Sequence, residues 1–136
     1  MKTEWLERGV IQLPRLCLCL SEKDFKRVWK ERGVPQAVKW VTEGCSATCH
    51  TIEDADEKVV CAIVCVDVEN ANDAVGLIGL IAHEAMHVVQ EMDTNVLDEK
   101  IELPAISEQF CLQRLVDEYC RQTGKELVFR KRRVNK

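Results

Sequence analysis

Residues 76–91 read Gly-Leu-Ile-Gly-Leu-Ile-Ala-His-Glu-Ala-Met-His-Val-Val-Gln-Glu, an apolar run without proline whose polar groups gather in one turn. The pattern predicts a helix capped by Asn72 or Asp73 and running to about Met92. In such a helix His83 and His87, four residues apart, share a face, and their imidazoles converge on one metal ion. Glu84 projects beside them, placed to take a proton from a water that the metal polarises. Two of the chain's three histidines are spent on this turn.

The surroundings of the turn sharpen that reading. Leu77-Ile78-Gly79-Leu80-Ile81 precede it and Val88-Val89 follow it. A helix apolar on all sides is expected to be buried, and two buried histidines with a glutamate need a shared partner. A metal supplies one; a hydrogen-bonded core pair is the competing explanation. Gly76 and Gly79 each weaken a helix by about 1 kcal/mol relative to alanine, which predicts close packing against a neighbouring element.

Downstream, Asp93 to Leu103 reads as an acidic connection. Pro104 suits a first helical turn, and a second helix then runs to Thr123 and stops at Gly124. A hydrolytic zinc site usually has three protein ligands and leaves the fourth position to water. His50 has no spacing argument in its favour. Glu108 heads an apolar stripe with Cys111, Leu112, Leu115 and Tyr119, where a carboxylate must find a positive partner or lose its charge. The dipole of a first helical turn also favours an acid there, and Glu102 falls in the same region, so the residues alone leave the third ligand open. Glu118 lies next to Tyr119 but on the wrong face for that role.

Upstream, Arg15 to Leu20 is a short strand. Ser21 with Asp24 resembles an N-cap, and Phe25, Val28 and Trp29 recur at helical spacing up to Gly33 and Pro35. Gln36 to Thr42 is strand or loop. Ala47 to Ile52 and Lys58 to Val68 are strands joined by the acidic turn Glu53 to Glu57, the second long and β-branched. Strands first and helices after predict an α+β fold, three to four strands with the histidine helix packed on the sheet and a further C-terminal helix.

Bulk properties agree with one domain over 1–136, with a basic tail from about 125. The chain has 136 residues, 46% hydrophobic and 31% charged, and a formal net charge of −4. That balance gives no electrostatic case for nucleic acid, and Arg130-Lys131-Arg132-Arg133 reads as a solvated tail. No apolar signal core opens the chain and no run is long enough to span a bilayer, so a soluble, cytoplasmic protein without membrane contact is expected. The eight cysteines form no C-x-x-C pair and read as reduced, mostly buried small hydrophobes. Cys45, Cys49 and His50 are candidates for a second, structural metal, though no matching pair completes the set. Oligomeric state is not readable.

Ala82-His83-Glu84-Ala85-Met86-His87-Val88-Val89-Gln90 resembles the active-site helix of small zincin-type metallopeptidases, and most closely the compact phage- and prophage-encoded proteins of the gluzincin kind. Those proteins carry an "AHEAxHxxQ" helix followed by a helix opening with a pattern like "EAYxIQ". Glu108-Gln109-Phe110-Cys111-Leu112-Gln113 is similar to the second pattern, with Gln109 and Phe110 in place of the alanine and tyrosine. The likeness covers roughly Ala74 to Tyr119. It implies a zincin-like fold with a small antiparallel sheet, Zn²⁺ held by His83, His87 and Glu108, and Glu84 as general base in peptide hydrolysis. It further implies a peptide or protein substrate held along an edge strand, for which Lys58 to Val68, the last strand before the helix, is the natural candidate. The reading from another class is a non-catalytic, zinc-stabilised interaction protein of phage or prophage origin.

Overall fold

The computed structural model of the chain describes residues 5, 14–56, 59–70, 73–91 and 102–127. Three strands, β1 (Arg15–Cys19), β2 (Ala47–Glu53) and β3 (Val59–Val66), form one sheet in the order β1-β3-β2. Helix α1 (Glu22–Glu31) follows β1; α2 (Ala74–Gln90) and α3 (Glu102–Thr123) follow the sheet, after a short 3₁₀ turn at Val68–Asn70. The class is α+β, as the order of elements predicts.

The sheet is not antiparallel throughout, contrary to the expectation. β1 runs parallel to β3, pairing Arg15 with Cys61 and Cys19 with Cys65, while β2 is antiparallel to β3. The reason is topological: β2 and β3 form a hairpin, and the loop after α1 carries the chain to the far edge of the sheet. β3 therefore ends up in the centre. Its residues 61–66 are all buried, since a central strand covered on both faces has no solvent side. The long β-branched run is legible as exactly that kind of strand, but its neighbours are not.

Alternate residues of the strands serve two separate cores. Leu16, Leu18, Ala62, Val64 and Val66 pack against α2 and α3 through Leu77, Ile81, Ala85, Val88 and Leu115. Cys17, Cys19, Ile63 and Cys65 face the other way, onto Phe25 and Val28 of α1, with Trp29, Trp40 and Ile52 around them. The molecule is thus three layers, with α1 on one side of the sheet and the helix pair on the other.

Helix ends follow their side chains. Ser21 Oγ accepts the Asp24 N–H at 3.2 Å, and Gly33 (φ 69°) ends the first helix. Asp73 caps α2, its Oδ1 accepting the Gly76 N–H at 2.7 Å. Pro104 stands in the first turn of α3, and Gly124 (φ 67°) stops it. Residues 36–42 are loop rather than strand. Residues 93–101 of the acidic connection and the basic run 130–133 lie outside the described residues.

Candidate metal centre

α2 buries one stripe, made of Leu77, Ile81, Glu84, Ala85, Val88 and Val89. His83 and His87 stand outside that stripe and are exposed, as are Val75 and Met86. The helix is therefore not buried on all sides. The sequence pattern misleads here because the apolar residues at its solvent side are simply left exposed, as single surface hydrophobes commonly are. Nor do the glycines mark close packing. A Cβ on Gly79 would meet nothing within 4 Å, and one on Gly76 would meet only the Asp73 cap, at 3.1 Å.

The two imidazoles nonetheless converge. Their Nε2 atoms lie 3.2 Å apart, with ring centroids 4.9 Å apart. Nitrogens at about 2.0–2.1 Å from a tetrahedral zinc are separated by about 3.3–3.4 Å, so this pair is already spaced for one ion. Donor atoms of His83, Glu84 and His87 all fall within 4.8 Å of one another, and among the described residues no other such trio of His, Cys, Asp or Glu occurs.

Glu84 is the inward member of the trio, only 4% exposed. Burial pushes its carboxyl above the ordinary range, while His87, His83 and a hydrogen bond from the Cys49 backbone pull it back. That bond comes from β2, which is the edge strand beside the site. The central strand β3, expected in that place, is shielded by β2. Asp67 N–H donates to Ser46 O at 2.8 Å, so the antiparallel ladder alternates from there. Ala47, Cys49 and Thr51 consequently turn their backbone groups outward, and Glu84 takes the outward N–H of Cys49.

Strand and helix enclose an open cavity of about 300 Å³, lined by His83, Glu84, His87 and Glu91 from α2 and by Ala47, Cys49 and Thr51 from β2. Its rim is the loop before β2, where Gly44 (φ 82°) turns the chain and Cys45 N–H donates to Thr42 O. The Thr48 hydroxyl ties that loop down, accepting the Thr42 N–H at 2.8 Å. Burial and the charges of Glu84 and Glu91 push the Cys49 thiol up to about 12, so it remains protonated at neutral pH.

The remaining candidates fall as follows. Glu108 is half-buried in α3 and stands outside the convergent trio; its charge helps push the Cys111 thiol, pushed up mainly by burial, to about 12. Cys111 in turn acts weakly on Cys49, but no described residue of α3 lines the cavity. At the other end Leu77 and Tyr119 line a common cavity, so α2 and α3 run antiparallel. Nothing is described of the Glu102 side chain. His50 faces α1, stacked on Phe25 at 4.7 Å and donating from Nε2 to Trp40 O at 2.8 Å. Cys49 and His50 are adjacent in a strand and point to opposite faces, so Cys45, Cys49 and His50 are not brought together. Glu118 stands outside the convergent trio, buried and held by Arg121 and Gln122.

Comparison with protein-family models, with curated proteins and with solved structures gives no match for this chain. Among the described residues, no helix is long and apolar enough to cross a membrane.

Proposed function

We propose that the chain is a zinc-dependent metallopeptidase of zincin-like type, with His83 and His87 as ligands and Glu84 as general base. The observation that carries the reading is the pair of Nε2 atoms 3.2 Å apart beside a buried carboxylate. His83 and His87 would hold a zinc ion, which when bound would supply the Lewis acidity that polarises a scissile carbonyl and acidifies a water. The work of the chain's own residues is positional. The Cys49 N–H fixes the Glu84 carboxylate, and burial raises its basicity towards the range useful to a general base. Glu84 takes the proton of the attacking water and returns it to the leaving amine nitrogen. The outward backbone of β2 holds the peptide extended beside the two imidazoles.

Glu108 is the proposed third ligand. Leu77 and Tyr119 share a cavity, and counting back along two antiparallel helices from there, eleven residues to Glu108 and ten to His87, would set the two at about the same level, which supports that choice. The resemblance to the gluzincin pattern points to the same residue. A soluble cytoplasmic protein and a phage or prophage source belong to this proposal as well.

Purified protein should carry about one zinc per chain, and His83→Ala or His87→Ala should carry none. Metal analysis that finds no zinc in the unaltered chain ends the proposal. Glu84→Gln should keep the metal and lose turnover of peptide substrates; turnover that persists removes Glu84 from its role. Glu108→Ala should lower zinc affinity by about 10- to 100-fold or more, and an unchanged affinity transfers the third position to another residue. A non-catalytic zinc-stapled interaction protein is the alternative. The buried placement of Glu84, with no lysine or arginine beside it among the described residues, speaks against it, because a purely structural site gains nothing from that carboxylate.

A further inference from the structure

β2 has a cavity on each side. The one beside α2 holds His83, His87 and Glu91. The other, of about 420 Å³, opens on the α1 side and is lined by Trp29, Val34, Val38 and Ile52, with Glu53 among its lining residues. Cys49 and Thr51 line both, so the two cavities are the two flanks of one strand edge. Along that edge the Cys49 carbonyl and both backbone groups of Thr51 face outward, and among the described residues no sheet partner covers them.

The flanks differ chemically. Among the described residues the α2-side cavity is lined by two carboxylates, Glu84 and Glu91, by threonine hydroxyls and by no lysine or arginine. Glu91 follows His87 by one turn on the same stripe and is exposed at the end of α2. No large apolar side chain is there to receive a hydrophobic residue. The α1-side cavity is mixed, with Gln36, His50 and Glu53 in its lining, but it holds what the other lacks, an indole and three aliphatic side chains, and Val38 is 44% exposed. Apolar side chains in a cavity beside an open strand edge give an apolar side chain of an added strand something to be buried against.

We propose that the substrate peptide is read from both flanks of β2, with a lysine or arginine side chain against Glu91 and an apolar side chain from the adjacent residue against Trp29, Val34 and Val38. Successive side chains of an extended peptide point to opposite sides, so neighbouring residues reach the two cavities. The inference rests on the peptidase reading and adds the substrate class: peptides alternating basic and apolar residues. Glu91 is then a specificity-determining residue that touches substrate away from the reacting atoms.

The test measures binding by zinc-loaded Glu84→Gln protein to end-blocked hexapeptides, with zinc content and circular dichroism as controls. An alternating Val-Lys peptide should bind at least about tenfold tighter than Val-Glu or Ser-Lys peptides. Adding Glu91→Lys should reverse the Lys-over-Glu preference. Adding Val38→Asp, at an exposed position, should erase the Val-over-Ser preference and leave the charge preference intact. Equal binding of all three peptides, or no binding at all, overturns the inference. If the preferences hold while unaltered zinc protein cleaves none of these peptides, the two-sided edge stands and the peptidase reading falls. If it cleaves peptides without regard to either residue, the peptidase reading stands and this one falls.

Discussion

Among the described residues two glutamates are buried, Glu84 at 4% and Glu118 at 5% exposed, on helices packed together against the same face of the sheet. Glu118 is fully provided for. Arg121 Nε donates to it at 2.9 Å and Gln122 at 3.0 Å, and the same Gln122 amide reaches the Leu18 carbonyl of β1. Those bonds, Arg121 first, hold its carboxyl below the ordinary range. Among the described residues Glu84 has no lysine or arginine beside it in the cavity it lines; two imidazoles and one backbone N–H face it, and burial pushes its carboxyl up. One acid serves the fold by tying α3 to β1. The other carries a carboxyl pushed up by burial, which is what the proposed role of general base would need.

The largest effect that tests this contrast is at Glu118. Glu118→Ala removes three hydrogen bonds to a charged acceptor and releases Gln122 from its brace. Arg121 is 54% exposed and recovers part of the loss in water. A destabilisation of about 2 kcal/mol is expected by denaturant titration, with zinc content unchanged in the folded protein. A loss of zinc along with stability would mean that the two acids are not separable, and the contrast would break.

Acid should distinguish them next. The folded-state pKa of Glu118 is lowered, so the unfolded chain binds the extra proton in acid. Its contribution is therefore present above the ordinary glutamate value of about 4.3 and lost as pH falls below it, through the lowered folded value. Glu118→Gln should flatten the stability profile in that window and by about 1–2 kcal/mol at neutral pH. An unchanged acid limb would show that the Arg121 pairing adds nothing in solution.

Little of this contrast was readable from the residues. Local signals were sound: Ser21 and Asp73 cap their helices, Gly124 stops α3, and the β-branched run 59–66 is a strand, because each depends on side chains within a few positions. Sheet order depends on contacts far apart in sequence, so nothing in Arg15–Cys19 told that it pairs parallel with β3, or that β2 would take the edge beside α2. The histidine spacing gave the convergence of His83 and His87 but not which of the trio faces inward. That was set by where the apolar stripe of α2 meets β2. The burial of Glu118 has no sequence signal of its own: a helix with an apolar stripe can bury a carboxylate at its margin when the partners, Arg121 and Gln122, lie one turn along. His50 looked like a spare ligand until its stacking on Phe25 and its bond to Trp40 O accounted for it.

The smallest expected effect is the most specific to Glu84. Its folded-state pKa is raised, so the folded chain holds the proton more tightly than the unfolded one, and stability falls as pH rises through the window between the two values. At neutral pH the ionised carboxylate then works against folding. Glu84→Gln removes that charge yet keeps an oxygen to accept the Cys49 N–H, so the chelator-treated variant should melt a few degrees higher than chelator-treated unaltered protein, the shift that about 1 kcal/mol produces in a domain of this size. Bound zinc should shrink the difference, because a cation beside Glu84 stabilises its charged form. Glu84→Gln at the cavity and Glu118→Gln in the brace would then move melting in opposite directions, although both replace one buried glutamate by its amide. If both variants melt lower, Glu84 is another structural acid, and the case for keeping it as a base has to rest on turnover alone.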